Sequence, residues 1–212
     1  MVVGAFVVAA VLAVVDWIGV WRDDSRLRWV GKPGVIVALI VAAGAPSVAT
    51  AAVRAWFVAG LALSLAGDVA LLPERWFIAG LASFLLAHVA YIAGMARLPL
   101  EWALGSLVVL AAAGVIGPPL LRAVRAGQPS MLGPVAAYLV VISAMAITAW
   151  CTSEPWLIAA AMAFFASDAM LGWGRFVTPT RERRFDRRVA AVGVMVCYHA
   201  AQACFVAWLA TR

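Results

Sequence analysis

From Ala55 to Tyr91 the chain reads AWFVAGLALSLAGDVALLPERWFIAGLASFLLAHVAY, two apolar runs parted by Pro73-Glu74-Arg75. A helix crossing a ~30 Å hydrocarbon layer needs about 20 apolar residues, and each run is close to that length. One carboxylate, Asp68, sits inside the first run, and His88 and Tyr91 sit inside the second. An ionisable group at a bilayer centre costs about 2.5–3.5 kcal/mol, so it usually has a partner or a task. A similar carboxylate, Asp168, recurs one hundred residues on, in PWLIAAAMAFFASDAMLGWGRF. Trp56 precedes Asp68 by twelve residues, and Trp156 precedes Asp168 by twelve.

The rest of the chain has the same character. Of its 212 residues, 66% are hydrophobic, and the mean hydropathy is +1.02. A water-soluble domain is nearer half apolar. The runs are too continuous for the alternation of a membrane β-barrel. The fold class is therefore all-α, a single integral membrane domain over 1–212 built as a bundle of eight transmembrane helices. The expected spans are 3–21, 29–45, 48–72, 76–96, 102–121, 131–150, 155–173 and 189–210. The second is the weakest, with Lys32-Pro33 near its start, where proline is tolerated, and Pro46 ending it. Spans three and seven share the Trp–Asp spacing and a following aromatic, Phe77 or Phe176, so two parallel four-helix repeats are one reading. The ten tryptophans nearly all fall at span ends, as an interfacial belt does. Cys151, Cys197 and Cys204 read as buried free thiols. No basic region precedes the first apolar run, so no cleaved signal peptide is expected.

The net charge of +6 resembles a nucleic-acid signal, but its placement speaks against nucleic acid as a partner. Thirteen of the sixteen basic residues fall between odd-numbered pairs of spans: Arg22, Arg26, Arg28, Lys32, Arg75, Arg122, Arg125, Arg175, Arg181, Arg183, Arg184, Arg187 and Arg188. Only Arg54, Arg97 and Arg212 lie on the other side. By the positive-inside rule the odd loops face the cytoplasm and both termini face outward, in a bacterial inner membrane. Membrane lipids are then the expected partners.

At about 1.5 Å per residue, Asp68 lies roughly 6 Å from the cytoplasmic edge, and Asp168 at a similar depth. Asp16 falls in the same third, Lys32 enters from that side, His88 lies near mid-membrane, and Tyr198 is nine residues into the last span. Ser64 and Asp68 are i, i+4 neighbours, as are Tyr198 and Gln202; His88 and Tyr91 are i, i+3. Each pair suits one interior cavity. Asp68 and Asp168 read as catalytic carboxylates, against helix-packing groups or proton sites of a transporter. His88 reads as an orienting group or as a partner for a buried carboxylate. Tyr91, Tyr138 and Tyr198 are more often packing residues with a bonded hydroxyl. Lys32 is most simply a positive-inside charge with reach to a lipid phosphate. Asp16 suits a pair with Arg22 or Lys32, and His199 suits ordinary packing. Ser167 has no histidine at a nucleophile spacing, and no Gly-x-Ser-x-Gly elbow occurs. With two histidines and no metal-like cysteine spacing, no metal or cofactor is expected, only an Asp–Asp–His set staying open.

These residues resemble the YhhN-like family of membrane lysoplasmalogenases over nearly the whole chain. The resemblance rests on Lys32-Pro33, on Gly67-Asp68 with Leu71-Leu72, and on Phe77, Gly80, Phe84, His88 and Tyr91. It continues through Tyr138 with Met145, Phe165-x-Ser167-Asp168 with Phe176, and Tyr198-x3-Gln202. It implies eight helices, catalytic aspartates at Asp68 and Asp168, and hydrolysis of the vinyl ether of a single-chain lysophospholipid to a fatty aldehyde and a glycerophospho-base. Such chemistry needs one acid and one carboxylate, as paired carboxylates serve glycoside hydrolysis. The rival readings are a small proton-coupled transporter, which also explains intramembrane carboxylates, and a non-catalytic lipid-binding membrane protein.

Overall fold

The computed structural model describes residues 1–45, 49–178 and 184–211. Among them are eight α-helices and no strand: α1 Val2–Arg22, α2 Ser25–Ala43, α3 Ala51–Leu71, α4 Phe77–Met95, α5 Gly105–Gly127, α6 Leu132–Cys151, α7 Pro155–Gly172 and α8 Arg184–Thr211. Pro46, Val48, Arg181, Arg183 and Arg212, used above for span ends and charge, lie outside the described residues. Seven helices are long and apolar enough to cross a membrane, and the protein is an integral membrane protein. The eighth, α2, carries Arg26, Arg28 and Lys32 in its first half. It also buries Val35, Ile36, Leu39 and Ala42 against other helices while leaving Val30, Val37 and Val41 exposed.

Consecutive helices pair as hairpins, α1 with α2, α3 with α4, α5 with α6 and α7 with α8. Helix α8 also lies against α1, α2 and α3, while α4 packs on α6. The hairpins are tight because small residues meet large ones. A Cβ on Gly31 would fall 2.6 Å from the Asp16 nitrogen, and one on Gly67 would fall 2.7 Å from the Phe84 ring. At the other end of the same α3–α4 pair, Gly60 abuts the Tyr91 ring and Gly94 the Phe57 ring.

Local chemistry explains where helix ends depart from expectation. Helix α2 starts at Ser25 because Asp24 caps it, accepting from the Arg26 and Leu27 amides at 2.9 and 3.3 Å. Asp23 turns the chain there with φ 59°. Pro33 is thereby inside the helix rather than at its start. Helix α5 begins after Trp102 and runs on to Gly127 through Pro118-Pro119, taking Arg122 and Arg125 from the loop into the helix. Thr50 caps α3 through Val53 N–H, and Pro155 fills the first position of α7. Trp208 is a buried exception to the tryptophan belt, stacked on Phe57 at 5.3 Å.

The C-terminal end of α7 widens into a π-helical turn, Trp173–Val177. Such turns re-aim side chains and recur at functional sites. This one carries Arg175, whose guanidinium lies 3.7 Å from the Phe77 ring centre.

Candidate active site

A cavity of about 470 Å³ opens among the helices, with lining side chains from every helix except α1. Most of its wall is apolar, from residues such as Leu71, Phe84, Leu139 and Phe165. Asp68 of α3 and Asp168 of α7 both line it, so the two carboxylates share one chamber. Lys32, Tyr138, Ser167 and Tyr198 line it too.

Asp68 is fully buried and doubly held. The Lys32 ammonium stands 3.2 Å from Oδ1, and the Tyr198 hydroxyl donates to Oδ2 at 2.7 Å. Lys32 is itself 3% exposed, so its charge faces the aspartate rather than solvent. Its ammonium also lies 5.8 Å from the centre of the Tyr198 ring. Burying such a pair is costly unless further hydrogen bonds complete it, and Tyr198 supplies one.

Asp168 is held differently. The Tyr138 hydroxyl donates to its Oδ2 at 2.5 Å. His88 Nε2 lies 3.9 Å from the same oxygen, beyond direct hydrogen-bond reach. The histidine ring is wedged edge-on between Phe164 at 4.6 Å and Tyr138 at 5.3 Å. The Asp168 side chain keeps 15% of its surface exposed where that of Asp68 keeps none. Among the described residues no ammonium or guanidinium lies within ion-pair distance of Asp168.

The contacts cross between the halves of the chain. Asp68 meets Lys32 from the helix before it and Tyr198 from α8. Asp168 meets Tyr138 from the helix before it and His88 from α4. Helices α4 and α8 close the first and second sets of four. Each carboxylate is thus served by its own half and by the last helix of the other.

Of the other expected residues, Tyr91, Ser64 and Gln202 fall nearby but not on the chamber wall. Tyr91 donates to Gln202 Oε1 at 2.6 Å and stacks on Phe205 at 4.3 Å, a buried link between α4 and α8. Ser64 is fully buried one turn from Asp68. Ser167 lines the chamber and donates to the Val194 carbonyl at 3.1 Å, tying α7 to α8. Ser64 and Gln202 therefore belong to the packing around the site, and Ser167 to its wall. Among the described residues no group of three or more His, Cys, Asp or Glu side chains is placed to hold a metal ion.

Asp16 and His199 form a second buried group behind the first. His199 Nε2 lies 3.9 Å from Asp16 Oδ2, and the Trp17 indole donates to His199 Nδ1 at 3.1 Å. That bond makes Nδ1 the acceptor, which leaves the ring proton on Nε2, facing the carboxylate. Asp16 pairs with neither Arg22 nor Lys32 in an ion pair, and His199 is more than a packed ring. Because His199 follows Tyr198, one turn of α8 faces Asp68 and Asp16 together. The lining also includes Arg28, Arg175 and Arg187, basic residues that the sequence shows only as span-end charges.

Two curated relatives, each named lysoplasmalogenase, come from Mycobacterium bovis (strain ATCC BAA-935 / AF2122/97) and Mycobacterium tuberculosis (strain CDC 1551 / Oshkosh). Each is 32% identical over 150 residues, covering 66% of this chain and 58% of the relative. The matched segment thus spans a little over half the length of those proteins. No solved structure matches the chain. The sequence model of the YhhN family matches residues 27–209, which takes in every chamber residue described above, and the chain belongs to that family.

Proposed function

We propose that the protein is a membrane hydrolase that cleaves the vinyl ether of single-chain alkenyl glycerophospholipids, with Asp168 as acid and Asp68 as carboxylate. The observation that carries this reading is the pair of unequally held carboxylates in one largely apolar chamber. The name of the mycobacterial relatives supports the substrate class.

The roles follow from the partners. Asp68 faces an ammonium at one oxygen and accepts from a phenol at the other. Asp168 has one oxygen bonded to Tyr138, faces the chamber, and among the described residues has no ammonium within ion-pair distance. A carboxyl in so apolar a setting is suited to carry a proton. Asp168 protonates the β-carbon of the vinyl ether, leaving an oxocarbenium ion beside the Asp68 carboxylate. Water adds to the cationic carbon and gives its proton to Asp68, forming a hemiacetal. Asp68 then protonates the departing ether oxygen while Asp168 takes the hydroxyl proton. Aldehyde and glycerophospho-base leave, and both groups return to their starting states. No electrons are transferred overall.

The odd loops face the cytoplasm in this reading, since the polar groups of the chamber and the basic residues share that end. The test is aldehyde release from a lysoplasmalogen by purified wild type, Asp68→Asn and Asp168→Asn. Asparagine keeps the shape and loses the titrating group. General acid–base contributions run about 10²–10⁴-fold, so each variant should lose at least two orders of magnitude. The double variant should lose little more if the pair acts as a unit. Near-normal release from either single variant removes the two-carboxylate mechanism.

A further inference from the structure

Three donors at the basic end of the chamber lack acceptors. Arg28 Nε, Arg175 Nε and Thr178 Oγ1 are buried and have no hydrogen-bond partner among the described residues. They come from separate elements, the first turn of α2, the π-helical turn, and the residue that ends it. All three residues line the one chamber, together with Arg187 from the first turn of α8. Neither Arg28 nor Arg175 makes an ion pair with a described carboxylate.

A buried donor without an acceptor loses the hydration it had in water, and folds rarely leave several such donors together. Arg175 packs against aromatic rings. Its guanidinium lies over the Phe77 ring at 3.7 Å, with Phe176 at 5.9 Å on the same turn. A guanidinium over a ring keeps N–H donors for a tetrahedral oxyanion, and the Arg175 Nε has no acceptor among the described residues. Lys32 is not available for that anion, because Asp68 already holds it at 3.2 Å. A phosphate on a single hydrocarbon chain would meet Arg28 and Arg175 with its oxyanion while its tail fills the apolar chamber.

We propose that Arg28, Arg175 and Thr178 form a phosphate-binding subsite at the basic end of the chamber, seating the phosphodiester of the lysolipid so that its first ether bond reaches the aspartates. The chemical role of that ether rests on the hydrolytic reading above; the phosphate seat does not. It makes the enzyme a reader of phosphate on a tail rather than of long-chain glycerol ethers at large.

The experiment is direct binding, by calorimetry in a neutral detergent, of two saturated ethers that cannot be hydrolysed as vinyl ethers. One is 1-O-hexadecyl-glycero-3-phosphoethanolamine and the other is 1-O-hexadecylglycerol, which lacks the phosphate. Full-length wild type should prefer the phospholipid at least tenfold. Charge-assisted bonds are the strong ones, so Arg175→Gln and Arg28→Gln should each reduce that preference about tenfold. Thr178→Val, losing a neutral donor, should reduce it two- to fivefold. Arg175→Lys should not restore it, because an ammonium lacks the fork. Arg97→Gln, a cation at the opposite end of the bundle, should retain the wild-type preference. Size-exclusion elution identifies any variant that has failed to fold, and Thr178→Val stands in for an arginine variant that does. Equal wild-type affinity for the two ethers overturns the proposal, as does a preference that all three subsite variants keep. Glycerol 3-phosphate and inorganic phosphate separate a lipid seat from a free-phosphate site, and either binding as tightly as the phospholipid overturns the lipid assignment. Should Asp68→Asn and Asp168→Asn release aldehyde normally while the phosphate preference persists, the hydrolytic mechanism falls and the subsite stands. Aldehyde release that depends on both aspartates, with a preference indifferent to the arginines, is the reverse.

Discussion

Replacing Lys32 with Met tests how the first aspartate is held. The ammonium and carboxylate are 3.2 Å apart, with 4% and 0% of their side chains exposed. At that separation and an effective dielectric of about 20, the attraction is about 5 kcal/mol. Methionine fills a similar length of chain but leaves Asp68 with Tyr198 alone. Removing one partner of a buried pair generally costs about 3–5 kcal/mol, because the remaining charge stays desolvated. Lys32→Met is therefore expected to lose that much stability. Lys32→Met with Asp68→Asn should recover most of it, since no lone charge remains and the amide still accepts from Tyr198. Unfolding followed by tryptophan fluorescence in mixed micelles reads both numbers from a chain with ten tryptophans. Turnover gives a second readout. Lysine acting through Asp68 lowers kcat, whereas lysine acting as a phosphate contact raises KM alone. A single variant within about 1 kcal/mol of wild type, or a double variant no better than the single, refutes the pairing.

Tyr138→Phe removes the 2.5 Å bond to Asp168 and should lower kcat about tenfold, equivalent to about 1.4 kcal/mol in the barrier, measured as aldehyde release. Gly67→Ala places a methyl 2.7 Å from the Phe84 ring, which is packed edge-on against Tyr198 at 5.7 Å. It should cost about 1–3 kcal/mol of stability in the same unfolding assay. Single cysteines in a cysteine-free background should be labelled from outside at Pro99 and not at Glu74 if the odd loops are cytoplasmic. The reverse pattern overturns the orientation.

The carboxylates were legible because an aspartate inside an apolar run stands out without any structure. Their partners were not. Spacing along one helix groups Ser64 with Asp68, yet the groups that hold Asp68 come from α2 and α8, the second of them 130 residues away. Helical periodicity reports a face, and which distant helix covers that face is decided by packing. Charge counting failed at Arg28 and Arg175 for a related reason. Both sit at span ends, as the positive-inside rule expects, and nothing in the count shows that they turn inward to the chamber. Arg175 does so through a π-helical turn that has no sequence signature as plain as a proline or a glycine. The low hydropathy of α2 comes from Arg26, Arg28 and Lys32 in the first half and bears out the second span as the weakest, yet the second half buries Val35, Ile36, Leu39 and Ala42.

The crossed contacts give the two aspartates their difference. Positions related by chain order, Lys32 before α3 and Tyr138 before α7, put an ammonium beside one carboxylate and a phenol beside the other. The reciprocal positions put Tyr198 of α8 on Asp68 and His88 of α4 near Asp168. The two sets of four helices thus surround two identical side chains with unlike partners. A cation beside a buried carboxylate favours its charged form, whereas a neutral phenol does so only through one hydrogen bond. Two aspartates in equal surroundings would compete for one proton without a fixed owner. In the proposed reaction, the unequal surroundings are what assign the proton before substrate arrives. Because each arrangement needs a helix from both halves, neither set of four helices holds a complete site by itself.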